Sequence, residues 1–449
     1  MTAAALSERW GFQRDRVLAY GSLAIGSLFV GYAATRSPLL AIAGVIVLAG
    51  VAFAATHQLA ALSVLAASFL FDAYLTKGHG LVTVGKLIGG LAFVAWVLDW
   101  GLRKSTVVTN AALWWLFGLA IWLVPSTAAA LDQSSTLVTD IRYVNFIILF
   151  FLVLQAVNGD RRRAAVVIDL IVFAVAVASV VGIESFLVGH QQRAMGPISD
   201  PNDFAFVLAS YVPVVIYRIR WAPRGPRRVV AVLALPLVLA CILATFSRGA
   251  LVALVAAAAF ALATRRIRFR WLLVALAIVG ISVVAAFRYQ PKLVGNSFTL
   301  KKHVATTNTN SRLGFWSVAI KEWRSSPVVG VGPGGFGPAL PAYQFPTGEV
   351  APTTHNAYLN ILSELGAPGL ICFVGFILVS WSHLRRPHVD DKEAHQLQQA
   401  LAVGFVVALV GSMFLTEQYY APLWVLSAMG ISLSPDRKAG LVPAAIGRA

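Results

Sequence analysis

Charge is scarce in this chain, and negative charge is scarcer still. Asp and Glu total 19 of 449 residues against 36 Lys and Arg, and the four types together make up 12%. Soluble domains carry about 25%, so with 58% hydrophobic residues and a mean hydropathy of +0.75 a water-soluble globule is excluded. Cysteine is nearly absent as well. Cys241 and Cys372 both fall inside apolar runs with no neighbouring His or Cys, which excludes a disulfide framework or a zinc site of ordinary spacing. They read as small core hydrophobes. No internal repeat of roughly 20–50 residues and no low-complexity tract appears.

What is present is a succession of apolar segments, at roughly 17–34, 38–55, 58–76, 83–99, 109–130, 142–158, 163–187, 203–220, 228–246, 249–263, 271–288, 355–381, 397–416 and 421–434. These describe an all-α polytopic membrane protein. Several are short for a span of about 20 residues, so the expected number of transmembrane helices is about 12–14. Arg9, Arg14 and Arg16 precede the first run, Val17 to Ala34. With further spans following at once, this layout reads as a retained signal anchor.

A formal charge of +17 would suit nucleic acid in a soluble protein; here its distribution matters instead. With the N-terminus inside, alternate loops collect Arg103 and Lys104, Arg161 to Arg163, the Arg218 to Arg228 cluster, the Arg265 to Arg270 cluster, and Arg385, Arg386 and Lys392. That is the positive-inside pattern. Nucleic acid is therefore not expected as a partner; membrane lipids are. Five regions follow: N-terminal helices 1–187, helices 188–288 with outer turns carrying Arg193 and Arg248, an outer loop 289–354, C-terminal helices 355–434, and an inner tail 435–449. Both ends are expected inside. The outer loop is basic, with only Glu322 and Glu349 as acids in the gap from Arg288 to Thr354. Long loops translocate regardless of charge, so its basicity points to an anionic substrate.

Two phosphate-loop imitations carry little. Gly80 to Leu87 ends on Leu where the nucleotide-binding loop needs a hydroxyl, and no strand precedes it. Gly330 to Gly335 reads G-x-G-x-x-G but follows a helical pattern, and is expected as a flexible turn. More telling is Ser311 to Arg324. On a helical wheel Leu313, Phe315, Trp316, Ala319, Ile320 and Trp323 share an apolar arc, with Ser317, Lys321 and Arg324 opposite. That describes an amphipathic helix on the membrane surface, with Arg312 projecting from the apolar arc.

Arg248 separates two apolar segments on the outer side, and no acid flanks it. Its guanidinium suits bidentate phosphate recognition; the bland reading is a turn residue. Arg193 lies in another outer turn, which ends in Asp200-Pro201-Asn202-Asp203. That run reads as a turn capping the next helix rather than as a metal site. His355-Asn356 opens the helix after the loop, where Asn356, Asn360, Ser363 and Glu364 form a polar stripe in a span. At its unperturbed pKa of about 6.5 His355 can accept a proton at neutral pH. Several arginines suit a diphosphate and one histidine suits a hydroxyl, which together fit glycosyl transfer from a lipid diphosphate. Glycoside hydrolysis needs a carboxyl pair, and none is evident outside.

The Ser247-Arg248-Gly249 turn, Arg312 and Trp316 leading to Pro327 and the Gly330-x-Gly332 turn, and the His355-Asn356 to Glu364-x-Gly366 block resemble the O-antigen ligase and O-antigen polymerase superfamily, over about residues 190–370. The resemblance implies an undecaprenyl-diphosphate-linked glycan donor on the periplasmic face of the inner membrane and a metal-independent reaction without cofactor. It implies His355 as general base and Arg193, Arg248 and Arg312 as diphosphate ligands, with Trp316, Asn356, Asn360 and Glu364 in support. It favours lipid A core as acceptor. A polymerase or a protein ligase using the same donor is the alternative, and a transporter or flippase the second.

Overall fold

A computed structural model describes residues 89–94, 96–97, 100, 107–130, 132–189, 191–198, 200–266, 312–343, 353–389 and 391–435, with scattered positions within 270–295. The expected spans before residue 89, the Gly80 to Leu87 stretch and the 435–449 tail lie essentially outside these residues, as does most of the 271–288 span. The described elements are α1 (Ala111–Ala128), α2 (Gln133–Val157), α3 (Arg161–Leu187), α4 (Pro201–Trp221), α5 (Pro226–Ala244), α6 (Arg248–Ala263), α7 (312–325), α8 (Ala357–Leu384), α9 (Lys392–Gly411) and α10 (Ala421–Ser432). No strand occurs among the described residues. Seven of these helices, α1 to α5, α8 and α9, are long and apolar enough to cross a membrane, and α6 and α10 are shorter apolar helices. The fold is an all-α polytopic membrane bundle.

Capping side chains set the helix starts. Asn110, Asp132, Asp160, Asp200, Ser247, Asn356 and Asp391 each accept a backbone N–H from the first turn, which removes one of the orphan donors that a helix end leaves. Asp200 caps α4 with Pro201 at its first position, so the helix starts two residues before Asp203, the start expected from the sequence, and the capping role falls to Asp200 alone. α1 packs along α8, α3 along α5, α4 between α5 and α9, α6 on α9, and α2 on α10. At one end of the bundle are the basic clusters, partly paired: Arg218 and Arg227 with Asp169, and Arg161 with Asp391. The opposite end carries the turns with Arg193, Arg248 and His355.

Two elements depart from expectation. α2 begins at Gln133, well before residue 142, so Asp140 and Arg142 lie inside a helix rather than at its edge. Asp140 is accommodated by Thr127 of α1, whose hydroxyl donates to Oδ2 at 2.7 Å. α8 is broken at Gly366, whose φ of 67° and ψ of −172° leave the helical region, followed by Pro368. The break frees backbone groups that must be satisfied inside a membrane protein. The 327–335 turn does so: Val331 N–H donates to Ser363 O at 2.9 Å, Gly332 N–H to Glu364 O at 3.0 Å, and Ala367 N–H to Pro327 O at 2.9 Å. Trp122 Nε1 and Ser126 Oγ of α1 cover the Leu365 and Glu364 carbonyls at 2.8 and 3.1 Å. The glycine-rich turn is therefore a buried plug for the broken helix, not a flexible loop.

Candidate active site

His355 precedes the N-cap of α8 and has φ 51°, in the left-handed region. Such a conformation costs on the order of 1–3 kcal/mol and persists only when its surroundings impose it. Here they do. Thr354 is buried; its carbonyl accepts from Trp316 Nε1 at 3.2 Å, its N–H donates to Asn360 Oδ1 at 3.3 Å, and its hydroxyl donates to Asn356 O at 2.7 Å. Beyond His355, Asn356 Oδ1 takes the Tyr358 and Leu359 N–H groups and its Nδ2 donates to Met413 O at 3.1 Å. Ala357 N–H donates to Ser412 O and Leu415 O. The histidine is thus clamped between α7 and the 412–416 turn, with its ring 6.4 Å from that of Phe315.

Charge around it is mixed. Burial holds the imidazole below its ordinary pKa, the Arg312 guanidinium lowers it further, and Asp200 works the other way. Arg312 interacts with Asp200 and Asp203, and Arg193 interacts with Asp200 and is repelled by Arg312. Burial lowers both arginines, though neither loses its proton at any ordinary pH. Arg193 is itself fixed: Nε donates to Thr245 O and Nη2 to Asn202 Oδ1, each at 2.7 Å. Arg193, Arg312 and His355 therefore converge with two acids at one end of the bundle. Asp200 and Asp203 amend the expectation that no acid pair lies there. Asp200 Oδ1 caps α4 by accepting the Asn202 and Asp203 N–H groups, and Asp203 Oδ2 accepts the Tyr420 hydroxyl, so one oxygen of each carboxyl is engaged.

The remaining expected residues take different positions. Arg248 is the exposed first residue of α6, three positions after the carbonyl that takes Arg193. Trp316 acts through Thr354, while Asn356 and Asn360 hold backbone around His355. Glu364 points elsewhere: Oε2 accepts from Tyr419 at 3.2 Å, and the N–H groups of Gly334 and Phe336 face its carboxyl. The N–H groups of the glycine motif thus serve a side chain of this chain.

α7 also differs from its helical wheel. Its buried face is Phe315, Val318, Ala319 and Glu322, packed with Phe336, Leu340 and Leu359, while Leu313 is 55% exposed. The helix is docked on the protein. Glu322 lies fully buried with neither carboxyl oxygen hydrogen-bonded, because the nearby Ser363 hydroxyl turns to Asn360 O at 3.1 Å. Burial and the neighbouring Glu364 push its pKa up to about 9. Thr354, Tyr419, Tyr420 and the burial of Glu322 escape sequence reading, since nothing local to each marks them.

Residues 229–374 match the family model described as O-antigen ligase. Over these residues the chain carries a domain similar to the O-antigen ligase family. This domain runs from α5 to the middle of α8 and takes in Arg248, Arg312, Trp316, the glycine turn, His355 and Glu364; Arg193 lies before it. No curated protein matches the chain.

Proposed function

We propose that this O-antigen ligase family protein transfers a glycan from undecaprenyl diphosphate to an acceptor hydroxyl, with lipid A core as the acceptor, on the periplasmic face of the bacterial inner membrane. The observation that carries the reading is the setting of His355: a clamped residue with a left-handed backbone, whose imidazole burial and Arg312 hold below its ordinary pKa. In the reaction the acceptor O–H gives its proton to the imidazole as its oxygen bonds to the sugar's anomeric carbon. The bond from that carbon to the diphosphate oxygen breaks, and the diphosphate leaves with the charge that Arg193, Arg248 and Arg312 receive. General base help of this kind contributes typically 10²–10⁴-fold, and preorganised positive charge facing the leaving group often accelerates the reaction more.

Arg312 has two tasks, to hold the diphosphate and to keep His355 deprotonated. One displacement at carbon inverts its configuration, and no metal is required because arginines supply the positive charge. The test is a reconstituted reaction with a purified diphosphate-linked glycan and a lipid A core acceptor. Mass spectrometry should show glycosylated acceptor and undecaprenyl diphosphate in equal amounts, at a rate unchanged by chelator. Activity that returns only with added magnesium or manganese contradicts the metal-independent reading, and product only with a second glycan-diphosphate lipid makes the protein a polymerase.

A further inference from the structure

Arg142 stands in the third turn of α2, inside an apolar helix long enough to span. An arginine there is costly unless it faces the bundle interior and finds a partner. It does face inward, half-buried, with its guanidinium carbon 5.6 Å from the centroid of the Tyr419 ring. That cation–π contact uses none of its five N–H donors. Among the described residues, none of the ion pairs includes it. Asp140 is turned to Thr127, and the Tyr419 hydroxyl is committed to Glu364. Tyr143 lies edge-on to Tyr419, with ring centroids 5.4 Å apart.

The adjacent tyrosine makes the position suggestive. Tyr420 donates to Asp203, which interacts with Arg312, while Tyr419 carries Arg142. One turn therefore joins the His355 cluster to a second, unpaired guanidinium in the outer half of the bundle. A planar fork resting on an aromatic ring is preorganised for two oxygens of a phosphate or carboxylate. We propose that Arg142 on Tyr419 is an oxyanion subsite that receives a phosphate or carboxylate group of the acceptor glycolipid. This rests on the transferase reading above for the identity of the acceptor, but not for the binding itself. The same oxyanion chemistry is offered by anionic phospholipid headgroups, so the two sources have to be separated.

The protein in phosphatidylcholine nanodiscs is treated with phenylglyoxal, an uncharged arginine reagent, and modification of each arginine is followed by peptide mass spectrometry. Arg142 should react, and a phosphorylated glycolipid should slow that reaction at least fivefold. Its dephosphorylated form, and phosphatidylglycerol at the same mole fraction, should not. An unreactive Arg142, or no protection by the phosphorylated glycolipid, overturns the proposal; equal protection by phosphatidylglycerol assigns the site to bulk lipid and overturns it too. This readout needs no turnover, so protection in a chain that transfers nothing leaves the subsite standing and removes the transferase reading. In the active protein Arg142→Leu should raise KM for the phosphorylated acceptor about tenfold, the loss of roughly one charge-assisted hydrogen bond, with donor KM unchanged. Recovery of KM in Arg142→Leu/Glu364→Gln would instead show that Arg142 only balances Glu364, and would contradict the subsite.

Discussion

At the scale of single residues, Arg312 acts on the protonation of His355 as well as adding a positive charge beside it. It lowers the His355 pKa while Asp200 raises it. Removing the guanidinium leaves Asp200 in place, so in Arg312→Ala the imidazole pKa rises. The rate limb that falls with acid should then move to higher pH, together with a rise in donor KM. The pH dependence of kcat/KM in the two proteins checks this; a limb that stays in place or moves to lower pH removes the coupling. The candidate residue types are legible in the sequence, because an arginine without acidic neighbours and a histidine at a helix start stand out in so apolar a chain. Their meeting is not. Arg193, Arg312 and His355 are far apart along the chain, and Asp200 looks like a helix cap, which it is, until the fold sets it beside the histidine.

At the scale of elements, periodicity locates helices well where they are uniformly apolar and fails where polar residues turn inward. α2 begins early because Thr136, Thr139 and Asp140 face other elements, whereas a hydropathy reading stops at the first charge. α7 is amphipathic in sequence, yet its most buried polar residue, Glu322, falls outside the apolar arc of the wheel. The proton on Glu322 has a consequence for stability. Its folded pKa of about 9 lies above the unfolded value of about 4.3. The favourable protonated form is complete only at acid pH, and stability is lost as pH rises toward the folded pKa. Glu322→Gln, similar in shape and always neutral, should raise the midpoint of thermal unfolding, with a gap that widens from pH 5 to pH 9. A gap independent of pH contradicts a buried protonated carboxyl.

The break in α8 depends on Gly366 and Gly330. Gly366 has φ 67° and a Cβ there would overlap the Val328 carbonyl; Gly330 has φ 70° and its Cβ would overlap the Glu364 backbone. Either change to alanine forces the plug out of the break and exposes unpaired backbone within the bundle. Both variants should lose transfer and unfold at lower temperature than the parent, and a Gly366→Ala protein of unchanged thermal stability would mean that the plug is dispensable. The sequence shows the glycines without showing their use, since the G-x-G-x-x-G spacing is met equally by phosphate loops and by a backbone plug.

At the scale of the whole molecule, the separation of charge is the most legible feature. Basic clusters gather at one end of the bundle, where Asp169 and Asp391 partly pair them, and the polar cluster gathers at the other. On a background of Cys241→Ala and Cys372→Ala, single cysteines in place of Arg224 and Ser325 should label from opposite sides of the inner membrane, with position 325 periplasmic. Labelling of position 325 only after the membrane is breached would put the His355 cluster in the cytoplasm.

The most direct measurement separates catalysis from binding at His355, by taking donor affinity and the single-turnover rate of the same protein with His355 replaced by Gln or Ala. A general base predicts donor affinity within about twofold of the parent, because the arginines hold the diphosphate. It also predicts a chemical step slowed by about 10²–10⁴-fold in both variants, and loss of the acid limb of the pH profile. A His355→Gln protein that turns over within a few-fold of the parent, or one whose loss lies in donor affinity, would contradict proton removal by His355 and make it a hydrogen-bond donor to the diphosphate.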